Sequence, residues 1–129
     1  MTPPVIQRWI EFVENGSTDE LDTVLADDAV FFSPVVFTPQ EGRAKVSAYL
    51  RAAAKMFSDT DFHYVEQWCN DHSAILEFAA TIHGVYVNGI DMIHWNDDGQ
   101  IVAFKVMLRP IKAIQTIMPL MAELLSIGP

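Results

Sequence analysis

Between Phe62 and Arg109 the chain gives up helical periodicity for alternation, and that change decides what it can fold into. Upstream, Val5, Ile6, Trp9, Phe12 and Val13 recur at helical spacing and leave Gln7, Arg8, Glu11 and Glu14 outside. Thr2 is placed to cap this first helix, with Pro3 and Pro4 where a missing N–H costs little, and Asn15-Gly16 ends it. Ser17-Thr18-Asp19-Glu20 reads as a capping box that opens a short second helix carrying Leu21, Val24 and Leu25. A small strand, Ala29–Ser33, and an irregular loop over 34–42 lead to a third helix from Arg43 to Phe57. Strands are then predicted over Phe62–Cys69, Ser73–Val87 with a bulge at Gly84, Ile90–Trp95 and Ile101–Arg109. Asn88-Gly89 supplies the hairpin turn between the second and third of these. Pro110 begins a helical tail with Ile111, Ile114 and Met118 on one side, which Pro119 should kink or split.

Three helices, a meander of long antiparallel strands and a helical tail predict an α+β architecture, with helices on one face of a curved sheet. The 129 residues make a single domain, 1–129, and half of them are apolar, enough for a sizeable core. With 17 acids against 8 bases the net charge is −9, which argues against nucleic acid or an anionic membrane surface as partner. No apolar run approaches the ~20 residues of a bilayer span. The opening MTPPVIQRW lacks the pattern of a secretion signal, and the single cysteine, Cys69, permits no internal disulfide. A cytoplasmic location is the corresponding expectation.

One carboxylate stands out. Asp91 lies within an apolar run, 90-IDMIHW-95. A two-residue turn at Asn88-Gly89 would set Tyr86 opposite Asp91, His83 opposite His94 and Ile82 opposite Trp95. Phe78, Ala80, Ile82, Tyr86, Asp91, Ile93 and Trp95 would then share the face turned toward the helices. An acid there must be hydrogen-bonded or hold its proton more tightly than usual, and a protonated acid in an apolar cavity can donate to a substrate oxygen. Asp91 and Tyr86 are therefore the candidate catalytic pair; the rival reading has Asp91 leaning into water near the turn. The histidines His63, His72, His83 and His94 show no metal-binding spacing, so no metal is expected, and no cofactor. His63 is a pocket base only if it points inward. Cys69 reads as a small buried hydrophobe. The loop 34–42, with Val35, Val36 and Phe37, is a lid or a docked structural segment. The tail from Ile111 to Ile127 carries more apolar residues than one stripe needs, so it should cover a pocket mouth or meet a partner subunit.

The helix ending in Asn15-Gly16-Ser17, followed by 21-LDTVLADDAVFFSPV-35, 41-EGRAKVSAYL-50 and 90-IDMIHWNDDGQIVAFKVMLRP-110, resembles the SnoaL-like group of the nuclear transport factor 2-like superfamily, in order and spacing, over nearly the whole chain. The resemblance implies a cone: a curved antiparallel sheet wrapped around three N-terminal helices, closed by a C-terminal helical tail, with a pocket at the wide end. It also implies a homodimer through the outer sheet face or the C-terminal helix. Asp91 matches the aspartate that ketosteroid isomerases use in protonated form to bind an oxyanion. Trp9 stands where they have a tyrosine, and Ser33 where they have the catalytic base. A serine with no neighbouring base does not abstract a carbon-bound proton, so ketosteroid isomerisation itself is not implied. Val106 stands where limonene epoxide hydrolase has an acid. Trp9, Ser33, Phe37, Tyr49, Phe57, Phe78, Ile93, Phe104, Val106 and Leu108 are the expected ligand-binding residues, for an apolar small molecule. One functional reading is an isomerase-, dehydratase- or cyclase-type enzyme acting on an apolar carbonyl or hydroxyl compound through Asp91. The other is a non-catalytic ligand-binding or dimerisation module.

Overall fold

The computed structural model describes residues 2–16 and 18–127. Helix α1 spans Pro4–Asn15 and buries Val5, Ile6, Trp9 and Phe12, the stripe read from the sequence. Its N-cap is Pro3, with no side-chain cap bond, rather than Thr2. Gly16 closes the helix in the left-handed region (φ 68) and donates to the Phe12 carbonyl. Helix α2 is Thr18–Val24. The capping box begins at Ser17, outside the described residues.

Strand β1, Leu25–Phe32, starts earlier than Ala29 and is irregular between Leu25 and Val30. A short β2, Gln40–Glu41, pairs with it. Helix α3, Arg43–Phe57, has the bounds expected. Then come β3 (His63–Cys69), β4 (Ser73–Ile82), β5 (Val85–Trp95), β6 (Ile101–Arg109) and α4 (Ile111–Ile127). Pro119 lies inside α4 without splitting it. The six strands form one sheet in the order β2-β1-β6-β5-β4-β3. β1 and β6 run parallel; every other pairing is antiparallel. Among the described residues no helix is long and apolar enough to cross a membrane.

The hairpin between β4 and β5 turns at His83-Gly84, not at Asn88-Gly89. Both turn residues have positive φ (50 and 77), the requirement of a tight turn that matches strand twist. β5 runs unbroken through Asn88-Gly89, and Ile82 pairs with Val85. The consequences are local but decisive. Tyr86 lies opposite Thr81, and Asp91 lies between Leu76 on β4 and Val106 on β6. His83 sits in the turn and His94 pairs with Ser73, so the two histidines do not meet.

Alternation then sorts the faces. Leu76, Phe78, Ala80 and Ile82 of β4, with Val87, Asp91, Ile93 and Trp95 of β5, are buried against the helices. Tyr86 and His94 point outward and are exposed. The helix-facing core divides in two. One cluster joins α1, α2, α3 and the sheet around Trp9, Phe12, Leu21 and Phe104; the other holds Phe78, Ile82 and Val87 against Ala113 and Ile117 of α4.

Candidate active site

Asp91 is 6% exposed, one of only two buried polar or charged residues among those described. It sits midway along β5, where both flanking strands supply apolar neighbours. Its one side-chain hydrogen-bond partner among the described residues is Tyr64 of β3, whose hydroxyl donates to Oδ2 at 2.8 Å. The Tyr64 oxygen in turn accepts the Trp9 indole N–H at 2.8 Å. The result is a directed chain, Trp9 to Tyr64 to Asp91, tying α1, β3 and β5 together. Among the described residues no buried side-chain oxygen or nitrogen lacks a partner. The second carboxyl oxygen, Oδ1, has no partner among the described residues, so it opens onto the adjoining cavity.

Burial raises the Asp91 carboxyl from 3.8 to about 7, against the opposing pull of the Tyr64 hydrogen bond. Burial, and then the neighbouring Asp91 charge, hold the Tyr64 hydroxyl well above 10.0, so it remains a proton-bearing donor. Near neutrality the site therefore holds one carboxyl poised between its two forms, with one oxygen anchored and the other free. Such a group can give a proton to a bound molecule or take one from it, because an acid–base catalyst works best with its pKa close to the working pH.

Tyr64→Phe separates this tuning from simple packing. Losing the hydroxyl removes a bond that favours the carboxylate, so the Asp91 titration, followed by carboxyl ¹³C NMR, is expected to move further up. The Trp9 N–H loses its acceptor as well, at a cost of about 1–3 kcal/mol read as a lower melting temperature. An unchanged titration would show that Tyr64 does not govern the acid.

The cavity has a volume of about 870 Å³, at the upper end of the roughly 300–1,000 Å³ usual for small-molecule sites. Its wall is mostly hydrocarbon and aromatic, with α1, α3, α4, β3, β6 and the loop after β1 all contributing. Trp9 packs edge-on to Phe104 with ring centres 4.8 Å apart, and Phe31 stacks on Tyr49 at 5.1 Å. Phe57, Phe62 and Phe78 form a second aromatic group on the α4 side. Met118, Met121 and Leu125 of α4 complete the wall.

Of the residues singled out from the sequence, the structure brings Trp9, Ser33, Tyr49, Phe57, Phe78, Asp91, Phe104, Val106 and Leu108 to this cavity. Three others lie elsewhere. Tyr86 is 58% exposed on the outer face of β5, five residues from Asp91 along one unbroken strand and therefore on the opposite side. It has no part in the site. Phe37 is 100% exposed in the loop and does not line the wall. Ile93 is buried in the core cluster under α1 rather than at the cavity surface.

Further details correct the sequence reading. The Trp9 N–H is taken up by Tyr64, so the indole offers a ligand its ring rather than its donor. The Ser33 oxygen accepts the backbone N–H groups of Val35 and Val36 at 3.0 and 3.3 Å, which shapes the loop and leaves its own proton to donate. His63 is exposed at the cavity rim, with Nδ1 bonded to the Asp61 carbonyl at 2.8 Å. Cys69 is exposed on β3, not buried.

Tyr64 is the residue that sequence reasoning missed. The stretch 62-FHYVEQWC-69 gives the alternation that puts Phe62 and Tyr64 on one side, but not which side. That is fixed by pairing with β4, where Tyr64 faces Phe78 and a bulge follows before Glu66. Among the described residues no group of three or more His, Cys, Asp or Glu side chains is placed to hold a metal.

A curved, open sheet packed on helices around an apolar cavity, with one buried acid at its wall, defines a cone-type α+β fold. Within that class, the SnoaL-like domain family matches residues 6–104, and the chain belongs to it. Comparison with functionally curated proteins finds no match. Among solved structures, the chain is similar to a steroid delta-isomerase from Pseudomonas aeruginosa, at 33% identity over 95% of this chain and 89% of that one, with a TM-score of 0.88. It is also similar to an uncharacterized protein with a cystatin-like fold from Silicibacter pomeroyi, at 27% identity over 93% and 84%, TM-score 0.85. The epoxide hydrolase/cyclase-like enzyme SalBIII, which has a role in pyran ring formation in the polyether salinomycin, shares the fold at 17% identity over 83% and 89%, TM-score 0.67.

Proposed function

We propose that the protein is an enzyme that moves a proton on a small apolar carbonyl or hydroxyl compound, with Asp91 as the acid–base group. The observation that carries this reading is the division of labour on one carboxyl: Oδ2 held by Tyr64, Oδ1 open to an apolar cavity, and a pKa brought to about 7 by burial. In its ionised form Oδ1 would take a proton from the carbon next to a substrate carbonyl and return it to another carbon, an isomerisation. In its protonated form it would protonate a hydroxyl leaving as water, and the carboxylate so formed would take the proton from the neighbouring carbon as the double bond forms, a dehydration. Ser33 and Tyr49, elsewhere on the wall, offer hydroxyl donors to a substrate oxygen. The similarity to a protein described as a steroid delta-isomerase supports the reaction class. Ser33 stands where the resemblance puts the isomerases' base, so proton transfer here would have to rest on Asp91.

The test is isotopic. Uncharged ring and chain ketones are incubated with the protein in D₂O, and deuterium uptake next to the carbonyl is read by mass spectrometry. Uptake is expected, with a rate that titrates near the Asp91 value of about 7. Ketones that bind, as shown by displacement of an apolar dye, yet exchange no faster than in buffer would leave a binding module in place of an enzyme.

The outer sheet face supports one further expectation. Trp68, Tyr86 and Met107 are exposed there, an apolar surface suited to a second copy of the chain. Sedimentation of the intact protein checks it: a dimer is expected, and a monomer at micromolar concentration would refute it.

A further inference from the structure

We infer that the cavity sorts its ligands by charge, admitting uncharged apolar compounds and turning away those that carry a permanent anion. This deepens the reading of Asp91 given above and rests on its oxygen facing the cavity. The basis is the set of charged and titratable groups around that oxygen, taken element by element. α1 contributes Glu14, at the exposed end of the wall. α3 contributes Tyr49, and β3 contributes Tyr64 and the rim residue His63. β4, β6 and α4 present only apolar side chains. No lysine or arginine lies among the described residues that line the cavity.

Recognition of a carboxylate, sulfonate or phosphate ordinarily needs a guanidinium, an ammonium or several convergent N–H donors. The two donors nearest the buried acid are already committed, the indole to Tyr64 and the tyrosine hydroxyl to Asp91. An anion placed here would lose its water without a counter-charge and would lie beside a carboxylate in a medium that screens poorly. A ketone or alcohol meets none of these costs, since its oxygen can accept from the protonated carboxyl or from Ser33. Charge selection of this kind works by a repulsive element as much as by an attractive one. Thioesters of nucleotide-bearing carriers, phosphorylated intermediates and fatty acids are thereby excluded. The reaction that supplies the substrate must therefore release it as a free, neutral compound.

The experiment is displacement of Nile red, an uncharged apolar dye, from the wild-type protein by 2-decanone or by decane-1-sulfonate, which remains anionic throughout. At about pH 8.5, where Asp91 is ionised, the sulfonate is expected to displace the dye at least about tenfold more weakly than the ketone. At about pH 5.5, where it is neutral, the gap should narrow. Asp91→Asn should narrow the gap at about pH 8.5 to the value the wild type shows at about pH 5.5, and leave it there at both pH values. Equal displacement at the higher pH would overturn the inference. So would a gap that persists unchanged in Asp91→Asn, because the exclusion would then have another origin. The readout is binding alone, so its failure is distinct from a failure of catalysis. Charge selection without turnover would sink only the enzymatic reading, and turnover of an anionic substrate only this one.

Discussion

Asp91→Asn is expected to remove activity and, at about pH 8, to make the protein more stable. The two effects share one cause. Folding raises the carboxyl from 3.8 to about 7, so between those values the native state holds a proton that the unfolded chain has released. Stability therefore falls as pH rises through this window and is flat above it. At 1.36 kcal/mol per unit, a rise from 3.8 to about 7 corresponds to roughly 4 kcal/mol forgone at neutral and alkaline pH. Asparagine keeps an oxygen for the Tyr64 hydroxyl and carries no charge, so it recovers much of this. The melting temperature should rise by roughly 10 °C at about pH 8, and the gain should shrink toward zero as the pH falls to about 4. Activity should drop by roughly a hundredfold or more, the usual worth of a positioned acid–base group. Calorimetry of both proteins across this range settles the stability part. A variant that melts lower than wild type at alkaline pH would mean that the carboxylate is solvated or paired in the fold, and the poised-acid reading would fall with it.

Gly89→Ala should be the most damaging substitution of a single hydrogen by a methyl group. A Cβ built on Gly89 would stand 2.6 Å from the Met107 carbonyl oxygen, the Leu108 Cδ2 and the Phe78 Cζ. Side-chain tips can swing away, but the Met107 carbonyl belongs to the backbone of β6, where Leu108 pairs with Gly89. The strands must part or β5 must shift. A loss of about 3 kcal/mol, seen as a fall of roughly 10 °C in melting temperature, is expected. Gly89 lies two residues from Asp91 on the same face of β5, so the disturbance should also move the carboxyl off the Tyr64 hydroxyl. An alanine variant with wild-type stability would show that the sheet has slack there.

That glycine also shows where the sequence could be read and where it could not. Alternation placed Asp91 on the helix-facing side together with Phe78, Ile82, Ile93 and Trp95, and the structure agrees. The bounds of α3 and β6 and the buried stripe of α1 were likewise legible, because periodicity follows from local geometry alone. The turn was not. Asn-Gly is a strong hairpin signal because glycine tolerates positive φ. Gly89 is there for a different reason, to leave room for Phe78 and Leu108, and Asn88 points outward to bond Glu77, the Phe78 carbonyl and Arg109. The true turn at His83-Gly84 looked like a bulge because a histidine with positive φ is uncommon. With the turn at His83-Gly84, Tyr86 faces outward and Tyr64 stands beside Asp91. The partner of a buried acid depends on inter-strand register, which no single strand encodes.

Tyr64 belongs to β3, which is hydrogen-bonded to β4 and, among the described residues, has no strand on its other side. Burial raises the acid at the heart of the sheet, and a hydrogen bond from the sheet's border pulls it part of the way back. Border strands tolerate replacement better than interior ones, since fewer neighbours must follow. A descendant of this protein can change the strength of its acid by altering one position on β3, leaving the carboxyl, the cavity and the framework as they are. Divergence of chemistry on this scaffold then requires no new centre, only a different neighbour at the margin.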